Sequence, residues 1–190
     1  MTPNEKILEY WFEGVTDETP IDKRALPFRK WFAKDPLLDR EILEEFETDL
    51  MKARQGHTKD WENSIRGRLA LIILFDQFSR NMYRNTPRMF ENDPLALTLC
   101  LRSIEEKIDG QLPLIERMFL YMPLMHSEDL NVQKLSLKYF EQLFEEAKQK
   151  FPHNAAYYQS NLCTAQQHFF IIEKSGRFVQ RESLRDHKTR

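Results

Sequence analysis

Leu69-Ala70-Leu71-Ile72-Ile73-Leu74-Phe75, continued by Asp76-Gln77-Phe78-Ser79-Arg80-Asn81, decides the fold. The first seven residues are apolar on every side, so periodicity alone does not separate a buried strand from a buried helix. Three features select helix. Leu and Ala dominate, no turn residue interrupts the chain between Phe75 and Asn81, and no other segment reads as a partner strand. A helix this apolar needs amphipathic helices packed around it, which makes the expected class all-α.

The flanking sequence supplies those helices. Thr2-Pro3-Asn4-Glu5 reads as a capping box with proline at the first helical position, followed by Ile7, Leu8, Trp11 and Phe12 on one face. After a polar connection, Phe28, Trp31 and Phe32 form a short aromatic segment expected to lid the core. Asp35-Pro36 opens the clearest amphipathic helix, with Leu38, Ile42, Phe46, Leu50 and Ala53 facing inward and Gly56 closing it. Ser64 or Asn63 caps the central helix. Thr86-Pro87 and Asp93-Pro94 give two further starts, the second with Leu97, Leu101, Ile104 and Ile108 on one face. Pro113 opens a helix carrying Ile115, Met118, Phe119 and Met122, and Pro123 kinks or ends it. Ser127 or Asn131 caps the next, with Val132, Leu135, Tyr139 and Leu143 inward. Asn154 caps the last, with Tyr158, Leu162, Ala165, Phe169 and Ile172 inward and Gly176 as its stop.

This pattern predicts about seven helices in antiparallel hairpins, one all-α domain over 1–178 and a basic tail over 179–190. Only 5 of 190 residues are Gly, which suits long helices with short connections. With 41% hydrophobic and 31% charged residues the chain is neither disordered nor membrane-like, and its longest apolar run falls far short of the roughly 20 residues of a membrane span. A net charge of −2 gives no field for nucleic acid. Cys100 and Cys163 lie far apart outside any CxxC pattern, so two reduced, buried thiols are expected, with no disulfide and no structural zinc. The N-terminus shows no apolar leader, and the expected location is the cytoplasm.

Three segments carry more polar functionality than helix ends require. In Asp76 to Arg84, Asp76 and Arg80 stand four apart and can pair, while Arg80, Arg84 and Arg88 would form a cationic stripe if the helix continued; the alternative is a helix end whose arginines complement the dipole. His126-Ser127-Glu128-Asp129 offers an imidazole acid or base with carboxylates to orient it, or else a serine cap with two acids in a first turn and a satisfied histidine. Arg177 and Arg181 either return cations over the bundle or belong to a solvated tail. No phosphate loop, nucleophile elbow or dinucleotide fingerprint is present. His57, His153, His168 and His187 have no ligand-like spacing to His126, so neither metal nor cofactor is expected.

Several blocks resemble one family. They are Ile7-Leu8-Glu9-Tyr10-Trp11-Phe12, Lys30-Trp31-Phe32-Ala33-Lys34-Asp35, the run from Gly67 to Asn81, and Glu116 through Pro123 to Asp129. In this order they resemble the bacterial domain-of-unknown-function family number 924. The resemblance implies a tetratricopeptide-like all-helical fold and favours one cluster made of Asp76, Gln77, Arg80, Asn81, His126, Ser127, Glu128 and Asp129. It supplies no activity. The chain departs from the family pattern near its end, where G-R-F-P-H-R-N is replaced by Gly176-Arg177-Phe178-Val179-Gln180-Arg181-Glu182.

The leading expectation is a helical binding module for a small anionic molecule or a peptide. Arg80, Arg84 and Arg177 would grip the anion, with Arg181 nearby, Asn81 would add hydrogen bonds, and Trp11, Trp31 and Phe178 would form an apolar wall. The rival is a small hydrolase-like enzyme in which His126 is the general base, Glu128 or Asp129 orients it and Arg80 stabilises developing charge. A third reading is structural, with function in an oligomer interface. The first two require that the segment after the central apolar helix fold against the Pro123 bend.

Overall fold

The computed structural model describes residues 1–22, 26–179, 181 and 184. Eight helices stand among them: α1 (Pro3–Phe12), α2 (Leu26–Phe32), α3 (Pro36–Arg54), α4 (65–82), α5 (Asp93–Glu105), α6 (Leu114–His126), α7 (Leu130–Lys150) and α8 (Ala155–Ser175). No strand occurs among the described residues. Most of the expected tail, including Arg185, Lys188 and Arg190, lies outside them.

α4 is the axle. It touches α1, α3, α5 and α6, and its residues from Leu69 to Phe78 are buried without exception. It is also irregular: Ile73–Phe78 winds as a π-helix between α-helical flanks. A π turn widens the helix, and it often marks a functional site. Here it falls on the residues that carry Asp76 and Gln77.

The caps follow the sequence signals closely. Glu5 reaches back to the Thr2 N–H at 2.7 Å. Asp35 caps α3 through the Leu37 N–H, and Ser64 caps α4 through the Gly67 N–H, both at 3.0 Å. α3 stops at Gln55, and Gly56 takes φ +77° just beyond. Asp129 caps α7 from the Asn131 and Val132 N–H groups, a role expected of Ser127 or Asn131. Pro123 does not end its helix: α6 runs through it to His126.

The buried faces of α5 and α7 differ from the expected ones. α5 buries Ala96, Leu99, Cys100 and Ser103, and leaves Leu97, Leu101 and Ile104 only partly covered. α7 buries Gln133, Ser136, Phe140, Leu143 and Ala147 rather than Val132, Leu135 and Tyr139. Counting apolar residues places the stripe about one position off, because small and hydrogen-bonded side chains take the contact line. Ser103, for instance, donates to Leu99 O at 2.8 Å. On α8, Tyr157 and Asn161 are buried while Leu162 and Phe169 lie at the margin. Cys100 is buried as expected, but Cys163 is exposed.

An aromatic cluster joins α1, α2, α3, α4 and α6. Trp11 meets Phe78 and Phe119 edge-on, each at 5.5 Å between centroids, and Phe46 meets Phe78 at 4.7 Å. Trp31 donates its indole N–H to Trp11 O at 2.8 Å, which pins α2 across α1. Asp17, in the connection after α1, accepts the Leu114 and Ile115 N–H groups at 2.8 Å and so caps the start of α6 from outside. α7 and α8, joined by the turn at Pro152–Asn154, pack along each other as a helical hairpin.

Gly67 is required by close approach. A Cβ there would stand 2.0 Å from Trp61 O. Glycine to alanine inside a helix ordinarily stabilises by about 1 kcal/mol. Here the steric term wins, and Gly67→Ala is expected to destabilise by about 1–3 kcal/mol in urea unfolding. A more stable variant would contradict the packing of Trp61 on α4.

Candidate functional site

The segment after the apolar run and the end of α6 meet. Asp76, with 0% exposure, lies between them. Its Oδ1 stands 2.7 Å from His126 Nδ1 and 2.8 Å from Arg80 Nη1, and its Oδ2 accepts from Gln77 Nε2 at 2.5 Å. Burial by itself raises a carboxyl. The charge of Arg80, with the hydrogen bonds from His126 and Gln77, outweighs it and holds Asp76 down at about 2. An ionised carboxylate only accepts, so His126 Nδ1 carries the proton and Nε2 is the ring's uncommitted nitrogen. Among the described residues Nε2 takes no hydrogen bond.

Arg80 is held from two sides. It donates from Nη1 to Asp76 O at 2.8 Å and forms a fork with Asp93 at 2.9 and 3.1 Å. Burial disfavours its charge, but Asp76 and Asp93 more than compensate and raise its pKa. Arg181 completes a chain of charges, 3.2 Å from Asp93 Oδ2 and donating to His126 O at 2.7 Å, with its guanidinium over Phe90 and Phe178. Arg181 is therefore a packed residue rather than part of a solvated tail.

α4 ends at Met82, so Arg84 leaves the face that Arg80 occupies and no cationic stripe forms. Arg84 closes a fork on Asp39 at 2.5 and 2.7 Å, and Asn81 Nδ2 donates to the same carboxylate at 2.8 Å. Arg88 lies over the Tyr83 ring.

The His126 block divides by role. The carboxylate on the imidazole is Asp76, not Glu128 or Asp129. Glu128 accepts the Phe178 N–H at 2.8 Å, Asp129 caps α7, and Ser127 Oγ accepts the Asp129 N–H at 3.1 Å. Gln133 fixes the end of α6 by donating to Met125 O and Ser127 O.

A cavity of about 240 Å³ opens on this cluster between α2, α4 and α6. Gln77, Arg80, Asn81, Arg84, His126 and Trp31 line it, with Met89 and Met122. Trp11 is fully buried in the aromatic core and does not reach it; Arg177, Arg181 and Phe178 lie outside its lining. Larger grooves run along α1, up to about 510 Å³, but none of these residues lines them.

A family model described as bacterial protein of unknown function (DUF924) matches residues 7–189. The chain belongs to this family. No curated protein matches it. Among solved structures it is similar to a protein of unknown function, ATU0120, from Agrobacterium tumefaciens, at 26% identity with a TM-score of 0.75, over 95% of this chain and 88% of that one.

Three members of the cluster in this DUF924 chain escape a reading by motif. Asp93 looks like a helix start, Asp39 an ordinary helix-surface acid, and His168 a histidine without ligand spacing. His168 bonds Met125 O through Nδ1 at 2.9 Å, with its ring 6.2 Å from that of His126. Burial, with the charges of Arg181 and Arg80, keeps its imidazole below the ordinary range. Only Asp93 carried a usable signal, as an acid close in sequence to an arginine-rich helix end.

Asp76→Asn is expected to cost about 3–5 kcal/mol at neutral pH, the penalty for breaking a buried charge network. Because the Asp76 pKa is lowered on folding, its contribution is complete above the ordinary 3.8 and is lost as pH falls toward about 2. The stability gap between wild type and variant, followed by denaturant unfolding, should therefore narrow across that window without vanishing. A gap that stays constant with pH would contradict an ionised Asp76.

Proposed function

We propose that the chain is a small-molecule binding protein whose pocket is the cavity between α2, α4 and α6. The supporting observation is the placement of His126. Asp76 holds the ring from the buried side, and the same side chain lines the cavity with Nε2 uncommitted. A cavity of about 240 Å³ is smaller than most drug-sized sites and suits a fragment-sized ligand better than a peptide. Trp31, Met89 and Met122 supply an apolar wall, and Gln77 and Asn81 supply polar groups on a rigid helix. The hairpin of α7 and α8, with α6 packed on α7, supports a tetratricopeptide-like reading of that half of the fold.

The site is testable without knowing the ligand. Ala33 lines the cavity but takes no part in the charge network. Ala33→Trp plugs the space and leaves Asp76, Arg80 and His126 in place. Fragments that bind wild type by saturation-transfer NMR and perturb His126 should lose binding in Ala33→Trp. Hits that bind both proteins equally would remove this cavity from the account.

The carboxylate on Nδ1 also favours a second reading, in which His126 is a general base toward the bound molecule. On that reading, His126→Gln lowers turnover of any substrate found by about 10²–10⁴ while binding persists. Unchanged turnover would leave binding alone.

A further inference from the structure

The spacing of Arg80 and Arg84 suggests an anion, but the hydrogen bonds around the cavity have the opposite polarity. Two carboxylates beneath the lining each draw donors away from it. Asp76 takes the Gln77 Nε2 and His126 Nδ1 hydrogens. Asp39 takes the Asn81 Nδ2 hydrogen together with the Arg84 Nε and Nη2 fork. Arg80 in turn is closed on Asp93 through both terminal nitrogens. The arginine charges are thus compensated inside the protein: Arg80, Arg84 and Arg181 stand against Asp76, Asp93 and Asp39.

An amide whose nitrogen faces a carboxylate turns its carbonyl oxygen away from it. A histidine whose Nδ1–H is given to a carboxylate offers Nε2 as an acceptor. Gln77 Oε1, Asn81 Oδ1 and His126 Nε2 are therefore three uncommitted acceptors on the neutral polar residues lining the cavity, beside the second N–H of each amide. None of them takes a hydrogen bond among the described residues. All three accept. An incoming carboxylate or phosphate would meet lone pairs there, and leaving such acceptors unmatched carries the desolvation penalty of buried polar groups.

We infer that the cavity takes a small ligand presenting convergent N–H donors, an amide or an ammonium group, rather than an anion. This rests on the pocket proposed above and specifies its occupant. The soft wall of Trp31, Met89 and Met122 suits the alkyl part of such a molecule, and an aromatic ring beside the donors also tolerates an ammonium.

Propionamide, propylammonium and propionate, nearly matched in size, test the inference. Each is titrated into the full chain at about pH 8, where a free imidazole is neutral, and the His126 ring resonances are followed by NMR. Propionamide or propylammonium should bind about tenfold more tightly than propionate, a difference of about 1.4 kcal/mol. Comparison of those two arms separates a neutral amide ligand from a cationic one. Gln77→Met, which removes an acceptor at similar length together with the hydrogen bond to Asp76, should weaken the preferred probe about tenfold while the His126 resonances of the free protein still report a folded site. Propionate binding most tightly would overturn the inference; if that binding were also lost in Ala33→Trp, the pocket itself would stand. No response of His126 to any of the three would also overturn it. A second readout needs neither ligand nor variant. A long-range proton–nitrogen spectrum of wild type should show His126 protonated at Nδ1 and bare at Nε2, and a proton on Nε2 would overturn the acceptor assignment.

Discussion

A carboxylate with no exposure to water sits where the central helix meets the end of α6, and the site depends on how Asp76 is compensated. Removing an ion from water costs several kcal/mol even after relaxation, so Asp76 is tolerated only with its partners in place. Arg80 supplies the charge from one helical turn away. His126 supplies a hydrogen bond from fifty residues away, and Gln77 covers the second oxygen. Each partner is oriented by that demand. The π turn at Ile73–Phe78 is the backbone counterpart, since it alters the angular position of Asp76 and Gln77 relative to a regular helix.

The surrounding shell then fixes the partners in turn. Asp93 holds Arg80 and also receives Arg181, whose other contact is the carbonyl of His126. Gln133 gathers the carbonyls of Met125 and Ser127 at the end of α6, and Glu128 ties the Phe178 backbone to the same corner. His168 packs edge-on against Phe178 in this corner and bonds Met125 O. The polar cluster is thus connected from α4 through α5 and α6 to the segment after α8. Such connectivity is what positions a site to a fraction of an ångström rather than leaving it to a loop.

Much of this was legible in the sequence where the physics is local. The all-helical class followed from Leu69 to Phe75 lacking any partner strand, and the Thr2, Asp35 and Ser64 caps follow from side-chain chemistry within a few residues. The pairing of Asp76 with Arg80 is also local. Partners set by tertiary packing were not legible. Nothing in the spacing links Asp39 to Arg84, or assigns the His126 carboxylate to Asp76 in preference to its neighbours Glu128 and Asp129. The α5 and α7 faces were misplaced for the same reason: Ser103, Gln133 and Ser136 are buried because their partners or neighbours accommodate them, which no hydropathy pattern records. Arg181 shows the converse. Left open between a cation returned over the bundle and a solvated tail, it finds a carboxylate and two aromatic faces in the folded chain.

The functional reading inherits this logic. Carboxylates below the cavity set which atoms the lining turns toward a ligand, so the same groups that stabilise the corner define its chemistry. The most direct measurement of that dependence is a double-mutant cycle on Asp76→Asn and His126→Gln, read by denaturant unfolding at neutral pH. Two residues in one hydrogen-bonded network should show a coupling of about 1–3 kcal/mol. Additivity within about 0.5 kcal/mol would mean that Asp76 does not hold His126, and the site built on that contact would fail with it.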